Sequence, residues 1–178
     1  MHGLLHKSLK QYVGERVERT TWDDVLAGAG IEPKLYLPVT RYPDEEYTGV
    51  VTVLAEETGR TEAAVERDVG GHLAPDLLDT FKAHVKSGWG AREVVSNLHA
   101  IYSQIEAESD DPSYPTISAE RVDDDECVLE YQSDLGLCDL LEGVVEGVAT
   151  EFETEARVTE RACTHDGADH CELTVEFV

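Results

Sequence analysis

"VVSNLHAIYSQIEAESDDPSYPTISAERV", residues 94–122, changes its periodicity halfway and so divides the chain in two. Val94, Val95, Leu98, Ile101, Tyr102 and Ile105 recur at three- and four-residue steps, the inward stripe of an amphipathic helix that also takes in Ala91. "DDPSYP" at 110–115 is a breaker cluster, and "TISAERV" then reads as a strand.

Upstream of this point every pattern is helical. Leu5, Leu9, Tyr12, Val13 and Val17 start a helix near the N-terminus, and Thr21 is placed to cap a second that Gly28 or Gly30 stops. A third begins at "PDEEYTGVV", with Pro43 in its first turn, and ends at Gly59. Thr61 caps a fourth that Gly70 and Gly71 close, Pro75 opens a fifth, and "SGWG" leads into the long helix with His99. Downstream, "CVLEYQ" pairs with "TISAERV" around "DDDE", a helix covers about 137–152, and "EARVTERAC" with "CELTVEFV" forms a closing hairpin about "THDGAD". The fold class expected is α+β: a helical part, about 1–60, joined in one domain to a pocket-forming part, about 61–178, that carries a small antiparallel sheet with a packed helix.

The 178 residues, 41% of them hydrophobic, suffice for one real core. Thirty-eight acidic residues against 14 basic give a formal net charge of -24, a surface that repels phosphate backbones and anionic lipid. No nucleic-acid or membrane partner is expected. Five lysines beside that acidic excess fit a halophile proteome, in which salt screens the self-repulsion. The opening residues lack a signal-peptide h-region and no stretch approaches the ~20 apolar residues of a membrane span, so a cytoplasmic location is expected. No nucleophile–base pair, phosphate loop or paired-acid motif is visible, and the chain is not read as an enzyme.

His99 lies one turn from both Val95 and Tyr102, at the edge of the apolar stripe, where an imidazole needs a partner for each nitrogen it buries. By helix geometry alone it is either a ligand or a core histidine bonded to a backbone carbonyl. His2, His6, His72 and His84 read as surface or helix-cap residues.

These elements together, with "MHGLLHKSL", "WDDVLAGAG", "NLH", "PSYPTI" and "EYQSDL" in order, resemble the haem nitric oxide/oxygen-binding domain, H-NOX, which also forms the N-terminus of soluble guanylate cyclases. The resemblance spans nearly the whole chain. It implies haem b held through iron by His99, Pro115 pressing on the porphyrin, and Tyr131 and Ser133 as hydroxyls toward the propionates. The family's propionate clamp is Y-x-S-x-R, and here its last position is Leu135, which offers no guanidinium. The distal wall it implies includes Leu5, Leu9, Leu140 and Val144. Oxygen-binding members have a tyrosine near the position of Leu140, so this apolar wall points to NO as the ligand. The function implied is a gas sensor that signals to a separate histidine kinase, cyclase or chemotaxis-type protein.

All four cysteines, Cys127, Cys138, Cys163 and Cys171, fall in the last third, a pattern of metal or redox chemistry in a chain without a secretory signal. Cys163 and Cys171 flank the hairpin turn, and Cys138 can add a third sulfur toward a zinc site. Some H-NOX proteins hold zinc by three cysteines and a histidine at similar positions, but where their histidine stands this chain has Glu160. The fourth ligand is therefore open among His170, His165 and Glu160. Reduced thiols or a reversible disulfide are the competing readings, and a haem-free zinc/thiol redox or partner-binding module on the same fold is the alternative function. Cys127 reads as a buried strand residue.

Overall fold

The computed structural model describes residues 3–37, 40–107 and 115–178. His2, the Ile105 side chain and the breaker cluster up to Tyr114 lie outside the described residues. The described helices are α1 (Gly3–Arg16), α2 (Trp22–Gly28), α3 (Asp44–Thr58), α4 (Glu62–Thr80), α5 (Ala91–Ser96), α6 (Leu98–Ala107) and α7 (Cys138–Glu151). The strands are β1 (Thr116–Arg121), β2 (Glu126–Gln132), β3 (Ala156–Ala162) and β4 (Cys171–Phe177). They form one antiparallel sheet in the order β1-β2-β4-β3. The expected α+β architecture is therefore present.

Local chemistry explains most boundaries. Thr21 accepts from the Asp24 N–H while the Asp24 carboxylate accepts from the Thr21 N–H, a capping box that starts α2. Thr61 caps α4 in the same way through Ala64 N–H. Gly59, left-handed at φ 66, ends α3, a conformation in which glycine meets no Cβ penalty.

Two helix boundaries differ from the sequence expectation. Gly70 and Gly71 do not close a helix and Pro75 does not open one, because α4 runs unbroken through all three. Pro75 has no N–H to give the Gly71 carbonyl one turn earlier. That carbonyl instead lies against α7: a Cβ on Gly147 would come within 2.7 Å of it. The two helices meet backbone to backbone along a glycine seam, where a Cβ on Gly143 would stand 1.8 Å from the Arg67 carbonyl oxygen, and one on Gly70 2.2 Å from that of Leu140. Arg67 closes the seam at its edge by pairing with Glu142 at 2.8 Å and with Glu146.

The second difference lies in the helix of His99. It is interrupted at Asn97 (φ -111, ψ 13), so α5 and α6 are separate segments. The Asn97 amide Nδ2 donates to the Glu93 carbonyl at 2.8 Å, a local side-chain bond that competes with helix continuation.

His6 is a further correction. It is fully buried rather than a surface residue, stacked on Tyr36 with ring centroids 4.3 Å apart and within 5.5 Å of the Tyr42 ring. Cys127 is buried in β2, as its strand position suggests.

The glycine seam yields a contrast between two alanine substitutions. Gly143→Ala should destabilise the fold by about 3 kcal/mol or prevent folding, since the backbone it would strike cannot yield cheaply. Gly14→Ala, inside α1 with open space around it, should be neutral or stabilise by up to about 1 kcal/mol. Denaturant unfolding at matched high salt measures both.

Candidate functional site

Helices α1, α4, α6 and α7 line, with the start of β1 and the end of β2, a cavity of about 760 Å³. That lies within the roughly 300–1,000 Å³ range of small-molecule and cofactor sites. Its walls are mainly aliphatic. Leu5 comes from α1, Leu73 and Leu77 from α4, Leu98 and Ile101 from α6, and Leu140 and Val144 from α7. The four helices supply these side chains because each turns its apolar stripe inward, and the glycine seam holds α7 close enough to α4 to complete the wall.

Polar groups gather where β2 leaves the sheet. Tyr131 is buried, and burial raises its phenol well above the ordinary value against the opposing effect of the Ser133 hydroxyl. Ser133 Oγ also accepts from the Leu135 N–H at 3.3 Å, and the Ser133 carbonyl accepts from Gly136 N–H at 3.1 Å, which folds residues 133–136 into a turn. Tyr131, Ser133, Asp134, Leu135 and Pro115 all line the cavity, as do Arg41 and Asp44 from the other side of the fold. Leu9, expected on the same wall as Leu5, is buried in the core and is not among the cavity's lining residues.

His99 is placed differently from its expected inward aim. Its neighbours Leu98, Ile101 and Tyr102 line the cavity, whereas His99 does not and its side chain is exposed. Nδ1 lies 3.0 Å from the Ile117 carbonyl oxygen. A carbonyl only accepts, so Nδ1 carries the proton, and in the neutral ring Nε2 then keeps its lone pair. The backbone-carbonyl bond weighed from helix geometry is thus found, but on a ring outside the core.

The cysteines converge as their spacing suggests. The sulfurs of Cys138, Cys163 and Cys171 all lie within 4.8 Å of one another, each residue buried. Cys138 and Cys163 sulfurs are 3.4 Å apart, and those of Cys163 and Cys171 3.9 Å. Burial pushes the Cys138 and Cys163 thiols up. Burial acts on Cys171 in the same sense, but bonds from the Thr164 hydroxyl and N–H, with the two neighbouring thiols, leave it below the ordinary value. Such a cluster stabilises one thiolate and suits a thiophilic ion.

The structure does not bring His170 to these sulfurs. Its Nε2 is 3.9 Å from the Glu130 carboxylate, because the last turn of the hairpin loop carries it toward β2. His165 Nε2 is occupied by the Gly136 carbonyl at 2.7 Å. Glu160 adds to the upward shift of the Cys163 thiol, but its carboxylate is not in the group of ligand atoms that lie within 4.8 Å of one another.

One titrating group was not found by sequence reasoning. Glu66, on the face of α4 toward Asp139, is pushed up to about 7, by burial first and then by the Asp139 charge. Its sequence context is that of an ordinary surface acid in "EAAVERDV", and only its tertiary neighbours mark it.

Fold and cavity define a class, an α+β domain built to enclose an apolar small ligand or cofactor. Residues 2–160 match the Haem-NO-binding family model, so the chain belongs to that family. Two crystal structures of an H-NOX protein from Shewanella oneidensis share the fold at a TM-score of 0.90 and 23% identity. One is a triple mutant in the Fe(II) ligation state and the other is in the Fe(II)NO state; both matches cover 100% of this chain and, respectively, 96% and 99% of that one. The S. oneidensis domain in the Fe(II)CO state, solved by NMR, matches at 0.86 and 23% identity over 100% of this chain and 99% of that one. No curated protein matches by sequence. Among the described residues no helix is long and apolar enough to cross a membrane.

The Glu66 environment has a measurable consequence. A carboxyl whose folded pKa is raised holds its proton more tightly in the folded state, so stability should fall as pH rises from about 4.5 to about 7. Glu66→Gln should remove that part of the slope and raise the melting temperature at pH 8, as thermal unfolding across the pH range will measure.

Proposed function

We propose that this protein is a haem-based sensor domain that binds NO and signals to a separate partner protein. The observation that carries the reading is the mainly aliphatic cavity with Tyr131 and Ser133 at one edge, set in a member of the Haem-NO-binding family. The walls match a porphyrin's apolar faces and the hydroxyls match its propionates. Bound haem would supply iron able to take a diatomic gas.

His99 supplies the protein ligand to iron in this reading. The Ile117 carbonyl fixes the tautomer that leaves Nε2 unprotonated, the form a metal requires. The ring must be re-aimed inward, and the break at Asn97 lets α6 turn without α5. Leu5, Leu140 and Val144 exclude water and offer no hydrogen-bond donor, which favours NO over O2. Because His99 bridges α6 and β1, a change in its bond shifts both elements, a local ligand event biasing a two-state element that a kinase, cyclase or chemotaxis-type partner could read. In protein purified at high salt, added haem should produce a Soret band that His99→Ala abolishes. A colourless protein with His99 intact overturns the reading.

The cysteine cluster supports a second centre. We infer that Cys138, Cys163 and Cys171 bind zinc as three of its ligands. Elemental analysis should find one zinc per chain, lost on Cys163→Ser together with several degrees of melting temperature. Zinc without any haem uptake would instead favour the haem-free thiol module.

A further inference from the structure

The aliphatic wall of the cavity does not stop at the helices. Leu135, half-buried against the core, lines the cavity at the same edge as Tyr131 and Ser133 and carries apolar surface into it. Its place is fixed locally: the Leu135 N–H donates to Ser133 Oγ at 3.3 Å, and the turn closes with the Gly136 N–H on the Ser133 carbonyl. Among the described lining residues there is no imidazole and no thiol, and the charged ones are a single arginine, Arg41, and two aspartates, Asp44 and Asp134. The other polar members, Thr80, Tyr102, Thr116, Tyr131, Gln132 and Ser133, carry no ionised group at neutral pH.

This composition decides which occupants the cavity accepts. A carboxylate that leaves water for aliphatic walls loses hydration that a cation or several N–H donors must replace. One basic residue against two acidic ones leaves the lining with a formal charge of -1, which adds repulsion to that loss. For haem, the bond from iron to protein offsets the cost, whereas an occupant without a metal has nothing comparable to set against it. An uncharged molecule meets neither penalty and still gains from burying its apolar body.

We propose that this cavity is also a binding site for uncharged apolar molecules bearing one polar oxygen, the class of a medium-chain alcohol, and that Leu135 sets the preference by presenting aliphatic wall instead of a cation. The inference stands on the cavity lining and not on the haem reading. Both kinds of occupant use the same walls and so exclude each other, which makes haem loading sensitive to such molecules.

The test is displacement of N-phenyl-1-naphthylamine, an uncharged dye that brightens in apolar sites, from haem-free protein by decanol and by decanoate. At about pH 8 the decanoate is ionised, and high salt screens the net charge of -24, so a remaining preference reports the site itself. Decanol should bind at least about tenfold more tightly than decanoate. Leu135→Arg should strengthen decanoate and narrow that ratio to about threefold or less, with decanol binding showing that the variant is folded. Leu135→Lys makes the same comparison where the arginine variant does not fold. Leu5→Trp, which fills the cavity from α1, should weaken dye and decanol together by about tenfold or more. Decanoate binding as tightly as decanol, dye binding untouched by Leu5→Trp, or a ratio unchanged by the substitutions at 135 overturns the proposal. So does a Soret band that forms on adding haem while the dye stays bound. A Soret band in protein that takes up neither dye nor decanol overturns this proposal and leaves the haem reading standing; dye and decanol binding without a Soret band does the reverse.

Discussion

The contact between α4 and α7 is the constraint on which the rest of the molecule depends. Three glycines, Gly70, Gly143 and Gly147, let the two backbones approach to distances at which any side chain would collide with a carbonyl oxygen. The approach fixes where α7 begins, and so where Cys138 meets the hairpin sulfurs. It also fixes where Leu140 and Val144 stand as a cavity wall. Arg67 bridges Glu142 and Glu146 over the seam, and its charge opposes the burial that pushes the Glu142 carboxyl up.

The cavity follows from four helices that turn apolar faces inward without meeting at the centre. Apolar walls cannot solvate charge, so polar groups are confined to the edge, where Tyr131, Ser133 and Arg41 sit beside Asp44 and Asp134. His99 is exposed, outside the cavity lining, and reaches the sheet. Its bond to the Ile117 carbonyl ties α6 to β1, and the interruption at Asn97 separates α6 from the helix before it.

The sulfur cluster is coupled to the same framework through Gly136. That residue is left-handed at φ 60, and a Cβ there would stand 2.9 Å from the His165 ring, whose Nε2 bonds to the Gly136 carbonyl. The turn that presents Ser133 to the cavity therefore also seats the hairpin loop between Cys163 and Cys171. Cavity edge and thiol cluster share one stretch of backbone, residues 133–138.

Period and turn chemistry alone determined the element order, the capping of α2 and α4 by Thr21 and Thr61, and the closing hairpin, because these depend on residues a few positions apart. The convergence of three cysteines was legible for the same reason, two of them lying across one turn. Tertiary structure alone decided that Gly70, Gly71 and Pro75 lie inside one helix, since their breaking tendency is offset by packing against α7, about 70 residues away in sequence. It also decided the burial of His6, the high pKa of Glu66, the outward ring of His99 and the place of Arg41 at the cavity. Each of these is set by neighbours distant in the chain, and no local pattern encodes a neighbour that folding has yet to supply.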